Sequence, residues 1–523
     1  MFSTAVLIGI YAYLIFLTGL LGFLSFKVIT TVTTFYLIFI ILTFYKKFTL
    51  FKISASFGNL KPLEKLLLVL LLLFAGINLV GAAGPEIFYD ALWYHLTLPK
   101  LYLQKAAIYH IPGNLLYYNE FPRLVEMLYT AALVLTNEIG AKIIHYLFGV
   151  MTTTAIIVLG KKFFNLKVAL VAAVIFYSNL AVAWQSTTAY VDLARTFFEA
   201  LAFFYFLSWW QNKTGGNLIK TGILAGLAMS TKLFAAGSIA ILASLIFFYS
   251  KKDKVINLVR FALPATIISL PWFLSAYLTT GNPIYPVFSG ILSPWHDFEF
   301  RGILNFFADF VRLSNFAEDW TSPISPIYLV FLPLTIIPLL KFPIVRVIGL
   351  YSLLTYIYWY LTPRTGGTRF ILPYLPTFSL FVASIFYLNL EKFKVYQKIA
   401  VFVILIVAGF NLLIRTYINA KNIPVILGLQ TKHDFLVQNL DFTNAFYDVD
   451  GYLGQNIGKN DKVLIVGGQN LYYVNFPFTH ESFGEDIKYN YILTQYKDLP
   501  EKYGHPKLIY ENPKTFIKLY KLD

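Results

Sequence analysis

The chain has no cysteine among its 523 residues. Disulfides, iron–sulfur clusters and thiolate-bound zinc are therefore excluded. Histidine is scarce, at 7, and none falls in an H-E-x-x-H or similarly spaced metal set. Charge is scarce as well: 13% of residues are charged, 58% are hydrophobic and the mean hydropathy is +0.64. A soluble domain carries about 25% charged residues. The composition thus excludes a soluble enzyme and a disordered chain alike.

Acids are the scarcer charge, 27 against 42 Lys and Arg, for a net +15. Such an excess can signal nucleic acid, so its location decides. It sits in short loops between apolar runs, at 46–65, 161–167, 213–220, 251–260, 341–346 and 391–398. These loops hold nineteen basic residues and three acids. That is the positive-inside pattern of cytoplasmic loops. Membrane lipids are expected partners, and nucleic acid is not.

A membrane span needs roughly 17–25 apolar residues. Thirteen candidates lie near 4–25, 28–45, 66–82, 140–160, 168–185, 193–210, 217–232, 234–250, 257–278, 324–340, 344–361, 370–390 and 398–418. The pair 217–232 and 234–250 reads as a tight hairpin or as broken helices. Segment 123–137 would reverse the sidedness of every later loop if it spanned. Its short length, with Arg123 and Glu126, suits an interfacial amphipathic helix. The N-terminus is then cytoplasmic, and no cleavable signal is evident.

The expected fold class is an all-α polytopic membrane protein, with about 13 transmembrane helices and a small extracytoplasmic C-terminal α/β domain. Residues 1–82 are N-terminal membrane helices. Residues 83–139 form a first outer loop with interfacial helices. Residues 140–418 form a membrane core that includes outer loop 279–323. Residues 419–523 form the soluble domain. Within it, 462–466 (KVLIV) reads as a strand and 445–457 as a helix. Gly467-Gly468 lacks the G-x-G-x-x-G spacing of a nucleotide site.

On the outer side, Asp90 opens YDALWYHLTLPK, and Ala91 to Lys105 has helical spacing of leucines. Asp90 either caps that helix or presents a carboxylate to a membrane-level cleft. Tyr94, His95 and Lys100 are candidates to line the same cleft. Alone, His95 reads more readily as an interfacial hydrogen-bonder than as a catalyst. Asp192 starts another span on the same side, as a cap or as a second carboxylate. Two such carboxylates can share a divalent ion, Mg or Mn, or divide base and binding roles. Arg195 and Glu199 suit a structural i, i+4 pair. Bases on this side run against the sorting rule. Lys232, Arg301, Arg312, Arg364 and Arg369 are candidates for a phosphate, with snorkelling to headgroups as the plain alternative.

In this setting the chain resembles the GT-C superfamily of membrane glycosyltransferases, which use polyprenyl-phosphate-linked sugars. The nearest likeness is to the protein O-mannosyltransferase and aminoarabinose transferase branch, over about 84–390. It rests on YDALWYHLTLPK with Asp90, NEFPRLVEMLY (119–129), Asp192, GILAGLAMSTK (222–232), PWFLSAYLTTGNPIYP (271–286) and TRFILPYLP (368–376). Ala91 stands where O-mannosyltransferases place the Glu of an Asp-Glu pair. Glu120-Phe121-Pro122-Arg123 stands where aminoarabinose transferases have a Lys-Pro-Pro run. Neither branch therefore supplies the acceptor.

The resemblance implies inverting transfer of a hexosyl or pentosyl group from a lipid-phosphate donor to a lipid, glycan or protein acceptor. Asp90 would be the general base and Arg369 the favoured phosphate contact. The rival reading is a transporter or flippase for a lipid-linked glycan. It expects polar residues at the midplane and internal repeats, neither of which the sequence shows.

Overall fold

A computed structural model describes residues 1–50, 60–290, 302–314, 323–362, 367–388, 391–484 and 488–522. In chain order its helices are α1 (Phe2–Leu20), α2 (Phe26–Leu50), α3 (Pro62–Ala82), α4 (Thr97–Lys105), α5 (Leu124–Leu135) and α6 (Glu138–Phe163). There follow α7 (Leu166–Tyr177), α8 (Leu180–Gln185), α9 (Asp192–Asn212), α10 (Gly215–Thr231), α11 (Ala235–Tyr249), α12 (Lys254–Thr280) and α13 (Ile303–Arg312). The last of the helical region are α14 (Ile327–Lys341), α15 (Pro343–Leu361), α16 (Thr368–Tyr387) and α17 (Lys394–Ala420).

Each of the thirteen expected spans falls on a helix. Among the described residues, 8 helices are long and apolar enough to cross a membrane, and the chain is a multi-pass membrane protein. The remaining expected spans are shorter or carry buried polar groups. Thus α7 stops at Tyr177 and resumes as α8, because Asn179 begins a new helix by accepting from the Ala181 N–H.

Helix α9 runs through the centre of the bundle. It is buried along almost its whole length, Asp192, Arg195 and Glu199 included. It packs on α6, α10 and α11. Helix α10 in turn lies hard against α12, and two glycines permit it. A Cβ on Gly226 would stand 2.7 Å from the Ala265 carbonyl oxygen, and one on Gly222 would strike that of Phe261. In lipid, apolar side chains gain little by leaving the bilayer, so close backbone approach at small residues holds helices together.

Segment 123–137 departs from expectation. Helix α5 has 12 residues, about 18 Å of rise, too short to cross a hydrocarbon core of about 30 Å alone. Yet it is not a surface helix with one wet face. Residues Leu124 to Ala132 are buried on every side, against α1, α4 and α6.

The C-terminal region carries α18 (Lys432–Asn439), α19 (Tyr452–Asn456) and a five-stranded sheet of order β2-β1-β3-β5-β4. The strands are β1 (Val463–Gly467), β2 (Phe478–His480), β3 (Tyr491–Gln495), β4 (Lys507–Asn512) and β5 (Ile517–Lys521). β1 pairs parallel with β2 and β3, and β5 pairs antiparallel with β3 and β4. The unbroken apolar run of β1 suits a strand covered on both faces, and Val463 to Val466 are all buried. The helix expected at 445–457 shrinks to α19. Gly451 takes φ +74° just before it, and Asp448 accepts from the Leu453 and Gly454 N–H groups. A β-bridge from Ala445 to Asn470 and then a bend, not a helix, therefore occupy 445–451.

This region is fastened to the first loop. Gly113 has φ +87°, and a Cβ there would collide with the Ser482 carbonyl. Lys432 pairs with Glu138 at the start of α6. The Tyr473 hydroxyl donates to the Glu86 carbonyl oxygen at 2.7 Å.

Candidate active site

Two loops are locked together before any reactive group is placed. Glu86 is fully buried. One of its oxygens accepts from the Ile87 and Phe88 N–H groups at 2.9 and 3.0 Å. The other accepts from the Ala189 N–H at 2.7 Å and the Thr188 hydroxyl at 3.2 Å. Lys142 on α6 donates to the Gly84 and Pro85 carbonyls at 2.7 and 3.0 Å. His145, one turn further on, donates through Nδ1 to the Thr188 carbonyl and accepts the Leu193 N–H on Nε2. Residues 84–90 and 186–192 therefore sit side by side, each with its aspartate.

Asp90 does not cap a helix. Residues Ala91–His95 form a π-helical turn, and the Asp90 side chain bonds none of its N–H groups. Its Oδ2 lies 2.5 Å from Arg369 Nη1 and accepts the Tyr94 hydroxyl at 3.2 Å. Its own N–H donates to the Tyr190 hydroxyl at 3.2 Å. Arg369 comes from the 3-10 run that opens α16. Its guanidinium rests over the Tyr190 and Phe370 rings, 5.1 and 5.2 Å from their centroids.

Asp192, fully buried, is the first residue of α9, and it does not cap the helix either. Its Oδ1 takes Lys232 Nζ at 2.7 Å. Lys232 occupies the break between α10 and α11, where an extended backbone frees its side chain. Its ammonium lies 4.8 Å from the centroid of the same Phe370 ring. The Arg369 charge acts on both carboxylates. Two acids and two bases thus form one neutral quartet on a floor of Tyr190 and Phe370.

The quartet keeps unspent capacity. Asp192 Oδ2 and Arg369 Nε have no hydrogen-bond partner among the described residues. A buried polar atom left so costs about 1–3 kcal/mol, which a polar ligand would recover. One wall is aromatic: Tyr94 stacks on Tyr118 at 4.2 Å, and Trp93 stands edge-on to Tyr118 at 5.4 Å. Burial, and then the Asp90 charge, pushes the Tyr94 phenol well up, so it remains a donor.

The other expected residues go elsewhere. His95 is buried and its Nδ1 meets Glu126 on α5 at 2.7 Å, the hydrogen-bonding role. Lys100 is not brought to the carboxylates. It donates to the Tyr472 carbonyl at 2.6 Å and to that of Val474, and burial lowers its ammonium to about 8. Arg312 is exposed and pairs with Asp309 in its own helix at 3.0 Å. Arg301 and Arg364 lie outside the described residues. Arg195 and Glu199 do form the i, i+4 pair, at 2.5 Å.

Among the described residues no three His, Asp or Glu side chains converge as a metal set. Each aspartate is already matched by a cation, so a resident Mg or Mn ion fits this donor set poorly. Glu86, Lys142, His145, Tyr118 and Tyr190 were not singled out in the sequence. The rarity of acids near a span was the one available signal, and it points to Glu86 alone.

No protein-family model matches the sequence, and no curated protein matches it. Solved structures do match by fold. ArnT from Cupriavidus metallidurans bound to undecaprenyl phosphate overlays at TM-score 0.60 and 11% identity, over 87% of this chain and 97% of that one. The same protein in its apo state overlays at 0.57 and 12%, over 89% and 98%. An Archaeoglobus fulgidus oligosaccharyltransferase overlays at only 0.46, with 12% identity, over 86% of this chain and 73% of that one. This chain shares the fold of those ArnT structures.

Proposed function

We propose that this chain is an integral membrane glycosyltransferase. It moves a sugar from a polyprenyl-phosphate carrier to a lipid, glycan or protein acceptor on the outer side of the membrane. The observation that carries the reading is the neutral quartet Asp90, Arg369, Asp192 and Lys232, in a fold shared with a protein solved on undecaprenyl phosphate.

An arriving phosphate competes with the aspartates for Arg369 and Lys232. Arg offers it bidentate contacts. As Arg369 turns to the phosphate, Asp90 is released from its ion pair. The acceptor hydroxyl then attacks the anomeric carbon and gives its proton to Asp90. The bond from that carbon to the phosphate oxygen breaks, and the two cations hold the leaving phosphate. A single displacement of this kind inverts the anomeric centre. The aromatic wall of Tyr94, Tyr118 and Trp93 offers a face for the sugar. No step calls for a metal ion.

We place the C-terminal domain and the first loop on the outer side and the basic loops in the cytoplasm. The test is mass spectrometry of glycolipids and glycoproteins from cells with and without the gene, then transfer by purified protein. Purified protein that carries the labelled lipid across vesicles but transfers no sugar would favour the flippase reading.

A further inference from the structure

A second cavity lies at the other end of the bundle, among the basic loops. Its volume is about 990 Å³. Its cationic lining is Lys167, Lys341, Lys394 and Lys398, and its apolar floor includes Phe342 and Phe386. Helices α3, α7, α15 and α17 all begin at it. The first three end toward Glu86, the 186–192 loop and Arg369. Helix α15, with 19 residues, rises about 28 Å, so the cavity is a membrane's thickness from the quartet. It is not the donor site seen from behind.

The cavity is built, not incidental. Gln397 donates to the Ile385 and Leu388 carbonyls at 2.8 and 2.9 Å, and so fixes one wall. The Lys167 ammonium lies 5.1 Å from the centroid of the Phe386 ring, and that of Lys341 lies 5.7 Å from the Phe342 centroid. Lys394 has an acid, Glu391, at 2.5 Å. Among the described residues Lys167, Lys341 and Lys398 have no carboxylate within ion-pair distance. Lys61 adds repulsion on Lys167. The cavity therefore carries an uncompensated charge of about three.

What would neutralise it follows from its rim. The first turns of α17 leave Val395, Tyr396, Ile399 and Phe402 exposed beside Lys394 and Lys398. A ligand with a phosphate at one end and acyl chains at the other matches both surfaces. Basic pockets between helix ends suit anionic headgroups in this way.

We propose that this cavity binds the headgroup of an anionic phospholipid, with its acyl chains lying along the exposed face of α17. The probes are phosphatidylglycerol and phosphatidylcholine, titrated onto the purified full-length protein and read by native mass spectrometry. Phosphatidylglycerol should bind at least tenfold more tightly. The variant K167Q/K341Q/K398Q should lose about fivefold per ammonium, on the order of a hundredfold in all. K167R/K341R/K398R keeps the charge and should keep the affinity, which separates loss of a site from loss of fold. Equal binding of the two lipids by wild type would overturn the proposal. So would phosphatidylglycerol affinity retained by a monodisperse Gln variant. Displacement of the lipid by millimolar inorganic phosphate would also overturn it, in favour of a soluble phosphate ligand.

Discussion

Replacing Asp90 by Asn keeps the size and shape of the side chain and removes its charge and its basic lone pair. Two consequences follow, and they can be measured apart. The first is on stability. Asp90 and Arg369 are 2.5 Å apart, with side chains 11% and 13% exposed. Breaking a buried pair at one end costs about 3–5 kcal/mol. Here Arg369 keeps Asp192 as a second counter-charge, and the pair is partly wetted. The loss should therefore be about 1–2 kcal/mol. The second is on turnover, which should fall about 10²–10⁴-fold if Asp90 is the base. That is about 3–5.5 kcal/mol of barrier, more than the stability loss can explain. The assay is restoration of the glycan species lost from gene-deleted cells, together with undecaprenyl phosphate binding and thermal unfolding of the purified variant. Donor-lipid binding should persist. The double variant D90N/R369Q removes both charges and should regain stability without regaining turnover. Near-normal product from Asp90→Asn would refute the base assignment. Asp90 would then be an anchor for Arg369, because the structure has already removed the capping role that Asn could fill.

Arg369→Ala should weaken undecaprenyl phosphate binding by about 1.5–3 kcal/mol, measured by titration on folded protein; unchanged affinity would hand the phosphate to Lys232. A chelator should leave turnover intact, and a loss restored by Mg or Mn would mean that the aspartates share an ion. His480 is buried and held neutral, with Nε2 donating to the Gly467 carbonyl and Nδ1 accepting the Ser482 N–H. Burial lowers its pKa from 6.5, so the unfolded chain binds the extra proton first. Stability of the C-terminal domain, full above pH 6.5, should fall as pH drops below it, and His480→Asn should flatten that dependence in thermal unfolding. A cysteine at the exposed Lys502, the sole thiol in such a variant, should react with an impermeant reagent only from outside. Labelling only from the cytoplasm would reverse the proposed topology.

The helical framework was readable because hydropathy reports what lipid and protein interior share. The short length of α5 rightly kept it from being a span, but an apolar helix reads alike whether lipid or protein surrounds it, and its burial on every side was not legible. Asp90, Asp192, Lys232 and Arg369 could be named from their sidedness, but their pairing could not. It depends on contacts across distant segments, and nothing local in YDALWYH signals Arg369. Lys100 stood five residues from His95 and looked like a neighbour. The end of the π turn sends it the other way, toward residues 472–474. His145 was invisible because it acts on backbone groups, which leave no mark in a side-chain pattern, and Glu86 showed only as a rare acid near a span.

The attachment of the first loop to the end of the chain also sets a timetable for biosynthesis. Lys100 finds its carbonyl partner 372 residues later. Gly113 waits about as long for Ser482, and Glu138 some 80 residues less for Lys432. At about 5–20 residues per second on the ribosome, that delay is on the order of 20–70 seconds. Throughout it, a buried-type lysine and two acids, Glu86 and Glu138, stand without their final cover. A chain cut short before residue 472 should insert its helices yet never close the wall beside α4.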